Sequence, residues 1–365
     1  MRPGMQCLLE LLRGQALDRT IDEAEWDAAL TLAAEERVLP WTAARLRSRQ
    51  VALTPGIQGR LEKIERDAAI GAFCRSSELK GVLAAFDRSS IRILLLKGPS
   101  LAERLYGETA LRFSRDLDLL VSKADLTRAE SILTAVGFVP DAYPDDYHRR
   151  WHREAAVVEL HHEVENPLAF DFDVESAIRR AHPAVFQGQP YWHLAPEDEL
   201  LFLCLHAVRH CFQRLSLILD LQLAFEKLAG NADGWHPRPE VDGLSGLLTL
   251  GLAMVRRLQP EMTAVFEVQG SREQTMHLER LADRLWDRLL TQPAEPLDWR
   301  AVHSFYLEIE IPGWHRLHRQ YRHLQILAGR VIEPDYTFAA QLGLHQAWQA
   351  RMLRPLRLLS ELIQR

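Results

Sequence analysis

Two aspartates separated by one leucine constrain this chain more than any other feature. They lie in Arg112-Phe113-Ser114-Arg115-Asp116-Leu117-Asp118-Leu119-Leu120-Val121. On a β-strand, Asp116 and Asp118 leave the same face, roughly 6.6 Å apart along the backbone. Like charges so placed repel unless a cation sits between them, and carboxylates buried beside leucines are costly without one. A solvated strand edge is the alternative, but Leu117, Leu119, Leu120 and Val121 make the segment too apolar for an edge. Upstream, the apolar run Ile91 to Leu96 breaks at Lys97-Gly98-Pro99-Ser100, and Leu101 to Tyr106 reads as a short helix. The order is strand, glycine turn at a helix start, then a strand with paired carboxylates.

That order resembles the DNA polymerase β-like nucleotidyltransferase superfamily, which places a Gly-Ser turn at a helix start ahead of an Asp-x-Asp strand. More narrowly, the chain resembles the bacterial family of uncharacterised nucleotidyltransferases. Leu96 through Tyr106, Arg112 through Val121, Val158-Glu159-Leu160-His161, and Leu203 through His210 with Leu215 to Asp220 carry the likeness. One departure is the turn itself, Lys-Gly-Pro-Ser in place of Gly-Gly or Gly-Ser. Pro99 removes a backbone N–H that could meet a phosphate, although proline is accepted at the first position of a helix.

The resemblance implies an α+β fold: a small mixed β-sheet nucleotidyltransferase core flanked by N-terminal and C-terminal helical regions. It implies Mg2+-dependent transfer of a nucleoside monophosphate from an NTP, with two Mg2+ ions ~3.5–4 Å apart held by Asp116, Asp118 and a third carboxylate from a later strand. Glu159, in the β-rich stretch Ala155 to His162, is the candidate. Glu163 or Glu165 takes that place if the register is shifted, and an ion pair of Glu159 with Arg153 or Arg112 is the plainer reading. Nucleotide contacts are expected from Lys97, Gly98 and Ser100 at the turn, where remaining N–H groups, the helix dipole and the Ser100 hydroxyl favour phosphate. Lys97 is a point charge for the triphosphate or else a surface lysine. Arg112 and Arg115 contact phosphate bidentately or simply neutralise the acids.

Glu197 to Leu228 reads as one helix with a polar stripe of His206, His210, Gln213, Arg214 and Asp220 within roughly 120°. A stripe on an otherwise apolar helix suits a cleft wall. The His206-x3-His210 spacing also fits a zinc pair or a hydrogen-bonded structural pair; the family likeness favours contact with nucleotide phosphate or acceptor. His161 shares the strand face of Glu159 and looks into the same cleft.

Composition narrows the rest. A chain of 365 residues that is 47% hydrophobic can build a substantial core, and it divides by pattern into an N-terminal helical region over 1–85, a core over 86–195 and a C-terminal helical domain over 196–365. Residues 1–85 read as helices over Cys7 to Leu12, Asp22 to Glu35, Val38 to Arg47 and Arg60 to Phe86. A helix from about Ala124 to Val136 closes at Gly137, Tyr147 to Arg153 and Ala155 to Val164 read as a hairpin ended by Pro167, and Gln189 to Leu194 is a short strand. Pro196 with Glu197 and Asp198 signals a helix start. Beyond it the chain reads helical, broken between Gly230 and Gly246 and at Pro293 to Pro296. A net charge of −6 argues against a broad basic nucleic-acid surface. Cys7, Cys74, Cys204 and Cys211 have no zinc spacing and read as free thiols in a reducing cytoplasm; no stretch is long enough to span a bilayer. The acceptor is expected to be a small molecule or a peptide rather than nucleic acid. Two further readings stand beside this one: a non-catalytic nucleotide-binding or regulatory protein on the same scaffold, and a toxin-like transferase acting on tRNA. The base of the NTP, the acceptor and the oligomeric state are not written in the sequence.

Overall fold

The computed structural model describes residues 1–17, 19–49, 51, 53–141, 147–165, 170, 172–230, 244–262, 271–297, 299–309, 338–339, 341–342, 349–350, 352–354 and 356–357. Four helices come first: α1 (Met5–Leu12), α2 (Glu23–Glu35), α3 (Leu39–Ser48) and α4 (Pro55–Arg88). The Asp22 carboxylate accepts the Glu25 N–H at the start of α2, and Thr54 caps α4 ahead of Pro55. The first three helices and the start of α4 bury Leu11, Trp26, Leu30, Leu46 and Leu61 in a core of their own.

The middle of the chain supplies β1 (Leu94–Leu95), α5 (Pro99–Tyr106), β2 (Leu117–Leu120), α6 (Leu126–Ala135), β3 (Val139–Pro140), β4 (His148–Arg153), β5 (Ala156–His161), α7 (Val174–Arg180), β6 (His182–Phe186) and β7 (Gln189–His193). The strands form one mixed sheet in the order β3-β4-β5-β2-β1-β7-β6. β2 runs parallel to β5 and β1 parallel to β7; the other pairings are antiparallel. Gly137 adopts φ +88° after α6, the left-handed conformation that ends helices, and β4 and β5 form the expected hairpin. This is the α+β architecture expected from the sequence, with β3, β6 and α7 added.

Alternation along the central strands divides the sheet into two faces. Leu95, Leu117, Leu119, Val158 and Leu160 pack with Leu79, Leu83 and Phe86 of α4 and with Leu133 of α6. Leu94, Leu96 and Leu120 look the other way and join the core built by the C-terminal helices. Those are α8 (Pro196–Arg209), α9 (Leu215–Ala229), α10 (Ser245–Leu258), α11 (Arg272–Thr291) and α12 (Trp299–Ile309). Asp118 and Glu159 lie on the face turned toward these helices.

One expectation needs correction. Glu197 to Leu228 is two helices, not one. The His210 N–H bonds the His206 carbonyl and the Phe212 N–H bonds that of Ala207. Cys211 and Phe212 then take left-handed backbone angles, φ +48° and +50°. Both side chains are buried, Phe212 completely, so apolar burial offsets backbone strain that would otherwise favour glycine. Pro167, residues 231–243 and residues 310–337, expected as a break, a break and helix respectively, lie outside the described residues. Among the described residues, no helix is long and apolar enough to cross a membrane.

Candidate active site

The β2–β5 ladder sets the site. It pairs Leu117 with Val158, Asp118 with Glu159 and Leu119 with Leu160. In a parallel pair, register partners project from the same face, so the two acids stand side by side between leucines that anchor the opposite face. His161, two residues beyond Glu159, shares that face. Asp118 is 1% exposed, Glu159 8% and His161 3%. The Lys97 Nζ lies 3.1 Å from Asp118 Oδ1, and His161 Nε2 lies 3.3 Å from the same oxygen and 3.7 Å from Glu159 Oε2. Lys97 is therefore a half-buried partner of Asp118 rather than a surface lysine. Arg150, opposite Glu159 on β4, donates to Glu159 Oε1 at 2.7 Å. The ion pair foreseen with Arg153 or Arg112 is thus made by Arg150: Arg153 bonds Glu78 and Arg112 bonds Asp220.

Charge in this buried group is unevenly held. Burial alone would raise the Asp118 carboxyl, but Lys97 and His161 outweigh it and hold it below the usual range. Burial likewise opposes ionisation of Glu159, and His161 and His148 overcome it. The His161 imidazole is pulled up by the two carboxylates against the cost of its burial. Asp116 stands in the bend before β2 and lines the same cleft. Its carboxyl is pushed up by burial and by the neighbouring Asp118 charge, against the pull of Lys97.

The donor set was tested for a metal on its own chemistry. Asp118, Glu159 and His161 each offer a ligand atom, all within 4.8 Å of one another, and they are the one such group among the described residues. Asp118 Oδ2 is buried with no hydrogen-bond partner, although such an oxygen ordinarily finds one. Two carboxylates and an imidazole with an unsatisfied oxygen fit a divalent cation. His161 joins the expected Asp118 and Glu159 in this group, and Asp116 is not one of its three members.

The site opens into a cleft of about 780 Å³. Lys97, Arg112, Arg115, Asp116, Asp118, Glu159, His206 and His210 all line it. Gly98, Ser100 and His161 do not; His161, expected to look into this cleft, instead borders a small cavity shared with Lys97, Asp118 and Glu165. Gly98 holds φ +81° at the turn into α5, and Ser100 is fully buried with its hydroxyl 3.5 Å from the Lys97 carbonyl. Arg112 is engaged by Asp220, through Nε at 2.9 Å and Nη2 at 2.8 Å, so it neutralises Asp220 rather than the acid pair. Glu163 pairs with Lys123. Glu165 reaches the cleft and accepts from the Tyr306 hydroxyl at 3.0 Å. The His206 and His210 rings meet edge to face at 4.7 Å and are not among the clustered metal donors. Burial, with Lys97 nearby, keeps His206 neutral far below the usual histidine range. His210 was expected to turn away from bulk solvent; instead it is exposed at the cleft, because α8 ends there.

Sequence reasoning did not single out Arg37, Arg150, Arg209 and His148. Arg209 stacks its guanidinium 4.5 Å from the Tyr147 ring, and His148 stacks on His161 at 4.9 Å. Arg150 and His148 could have been read from the hairpin, since its register sets them opposite Glu159 and His161.

A parallel pair of strands thus presents adjacent buried carboxylates beside a lysine from the glycine turn and a cation-rich cleft. Residues 22–260 match the family of uncharacterised nucleotidyltransferases, and the chain belongs to that family. No curated protein matches it. Among solved structures it is similar to the antibiotic-resistance factor ANT(2'')-Ia, at 16% identity over 43% of this chain and 85% of that one with a TM-score of 0.35. It is also similar to an antigenic nucleotidyltransferase-like protein from Paracoccidioides brasiliensis, at 17% identity over 56% of this chain and 96% of that one with a TM-score of 0.37. A tRNA-processing enzyme matches at 14% identity over 85% of this chain and 90% of that one with a TM-score of 0.24.

Proposed function

We propose that the protein transfers a nucleoside monophosphate from an NTP to the hydroxyl of an acceptor, a small molecule or a peptide. The observation that carries this reading is the Asp118–Glu159 register, which sets two buried carboxylates side by side and leaves Asp118 Oδ2 without a partner. In the reaction the acceptor oxygen bonds to the α-phosphorus, the bond to the β-phosphate oxygen breaks, pyrophosphate leaves with the electron pair, and the hydroxyl proton passes to solvent. Asp118, Glu159 and His161, with Asp116 beside them, would hold divalent ions, Mg2+ by family expectation. When bound, such ions supply neutralisation of charge at the attacking and leaving oxygens. Lys97 and Arg209 meet the triphosphate as fixed cations in a partly enclosed cleft, where charge is screened less than in water. His206, neutral, donates or accepts a hydrogen bond at the cleft wall. The free thiols Cys7, Cys74, Cys204 and Cys211 fit a reducing compartment such as the cytoplasm.

The test is to incubate the protein with each NTP labelled at the α-phosphate, Mg2+, and fractionated pools of small molecules and peptides. Label appearing in a new compound, with stoichiometric pyrophosphate, supports the reading. NTP binding with no movement of label into any pool would turn the protein into a nucleotide-binding scaffold without catalysis.

A further inference from the structure

Among the described residues, three arginines in the cleft lack the carboxylate partner that its lysine and other arginines have. Lys97 pairs with Asp118, Arg112 with Asp220, Arg150 with Glu159, and Arg209 lies 4.0 Å from Glu165. Arg37, Arg115 and Arg214 line the same cleft, and among the described residues none of them forms an ion pair with a carboxylate. They arrive from separate parts of the chain. Arg37 follows the end of α2 in left-handed backbone, φ +60°. Arg115 immediately precedes Asp116, and Arg214 opens α9, donating to the Glu35 carbonyl. Phe113, 38% exposed, stands between two of them, its ring centre 5.7 Å from the Arg37 guanidinium and 5.6 Å from that of Arg115. The aromatic ring is within cation–π reach of both guanidinium groups and gathers them at one part of the cleft wall.

Arg37 and Arg115 are exposed and Arg214 is half-buried, so solvent screens their like charges without abolishing the repulsion. Burial and then the Arg214 and Arg115 charges lower the Arg37 guanidinium from its ordinary value, with Asp116 acting in the opposite sense. An anion in the midst of the three would relieve that repulsion. The nucleotide does not require it. On the nucleotidyl-transfer reading, the cations nearest the carboxylates would face the triphosphate, and divalent ions would cancel much of its charge. A second anion is left to account for the surplus.

We propose that Arg37, Arg115 and Arg214 form an oxyanion-binding subsite for the acceptor, so that the acceptor class carries a phosphate or carboxylate group. The inference rests on the nucleotidyl-transfer reading. Guanidinium groups bind either oxyanion through charge-assisted, often bidentate hydrogen bonds. A polycationic acceptor is excluded from such a wall by like charge.

The test uses the full-length protein saturated with Mg2+ and a non-hydrolysable NTP. Inorganic phosphate and, separately, succinate are titrated in by calorimetry. Binding of phosphate points to a phosphorylated acceptor and binding of succinate to a carboxylated one; either result supports the subsite. Arg37→Gln and Arg214→Gln should each weaken that binding roughly tenfold and change NTP affinity by less than about twofold. The Arg37 guanidinium makes no hydrogen bond to a described residue, so Arg37→Gln alone keeps the test open if the other variant folds poorly. The proposal is overturned if neither anion binds the wild type, if the variants bind as the wild type does, or if NTP affinity falls as far as anion affinity. If the wild type takes up no NTP, the same titrations run on the free protein: anion binding lost in Arg37→Gln would keep the subsite and remove nucleotidyl transfer.

Discussion

Asp220 is the buried hinge between α5, the segment before β2 and the C-terminal helices, and its removal should be costly by an amount the structure bounds. The carboxylate is 3% exposed. It accepts from the Tyr106 hydroxyl at 2.6 Å and from Arg112 at 2.9 and 2.8 Å. Asp220→Ala would leave a buried guanidinium with no counter-ion and a buried phenol with no acceptor. Breaking such a pair from one side costs about 3–5 kcal/mol. For 365 residues unfolding as one unit, that is a fall of roughly 4–7 °C in melting temperature. The double variant Asp220→Leu/Arg112→Met removes both charges and should recover most of the loss, because the penalty is chiefly that of the orphaned charge. Urea unfolding of the wild type, both single variants and the double variant gives the coupling energy directly. A loss below about 1 kcal/mol in Asp220→Ala would refute the reasoning, as would a double variant no more stable than the worse single one.

Two other expectations follow from the site. Because burial and Lys97 keep His206 neutral in the fold, the unfolded chain takes up a proton that the folded chain refuses once pH falls below the ordinary value of about 6.5. Stability should therefore fall on acidification from that point, by up to about 1.4 kcal/mol per pH unit for this one group, and His206→Asn should flatten the slope between about pH 6.5 and 5 in denaturant titrations; an unchanged slope would mean the ring is not held neutral. His161 brings a nitrogen donor into the carboxylate group, so Co2+ should bind the protein more tightly than Mg2+ by calorimetry. His161→Gln should narrow that preference about tenfold. Equal preference in both proteins would remove His161 from the donor set.

Local chemistry was legible in the sequence where one element decided it. The Asp116-x-Asp118 strand, the hairpin around Glu159 and the helix start at Pro196 depend on alternation, turn residues and capping within a few positions. The break at Cys211 and Phe212 was not legible, since neither residue is a helix breaker and the strain is offset by burial that only the assembled core supplies. The same holds for Arg37 and Arg209, which meet in one cleft with Arg214 of the polar stripe though they come from different helices and their junctions. The turn at Gly98 misled in one respect. Ser100 looked like a phosphate ligand by its place in the motif, yet it is fully buried with its hydroxyl toward the Lys97 carbonyl. Asp116 and Asp118 were read as an equal pair, but the ladder begins at Leu117, so only Asp118 is locked beside Glu159.

The most direct measurement is the thermal midpoint of wild type and Asp118→Asn with each of the four NTPs, in the presence and absence of Mg2+. A ligand at a hundred times its dissociation constant stabilises by about 2.7 kcal/mol, which for this chain is a rise of roughly 3–4 °C. The account predicts that at least one NTP produces such a rise only with the metal, and that Asp118→Asn, folded and of similar midpoint without ligand, loses it. A rise that does not depend on the metal, or one that survives in Asp118→Asn, would contradict the assignment of the Asp118–Glu159 pair as the nucleotide's metal site.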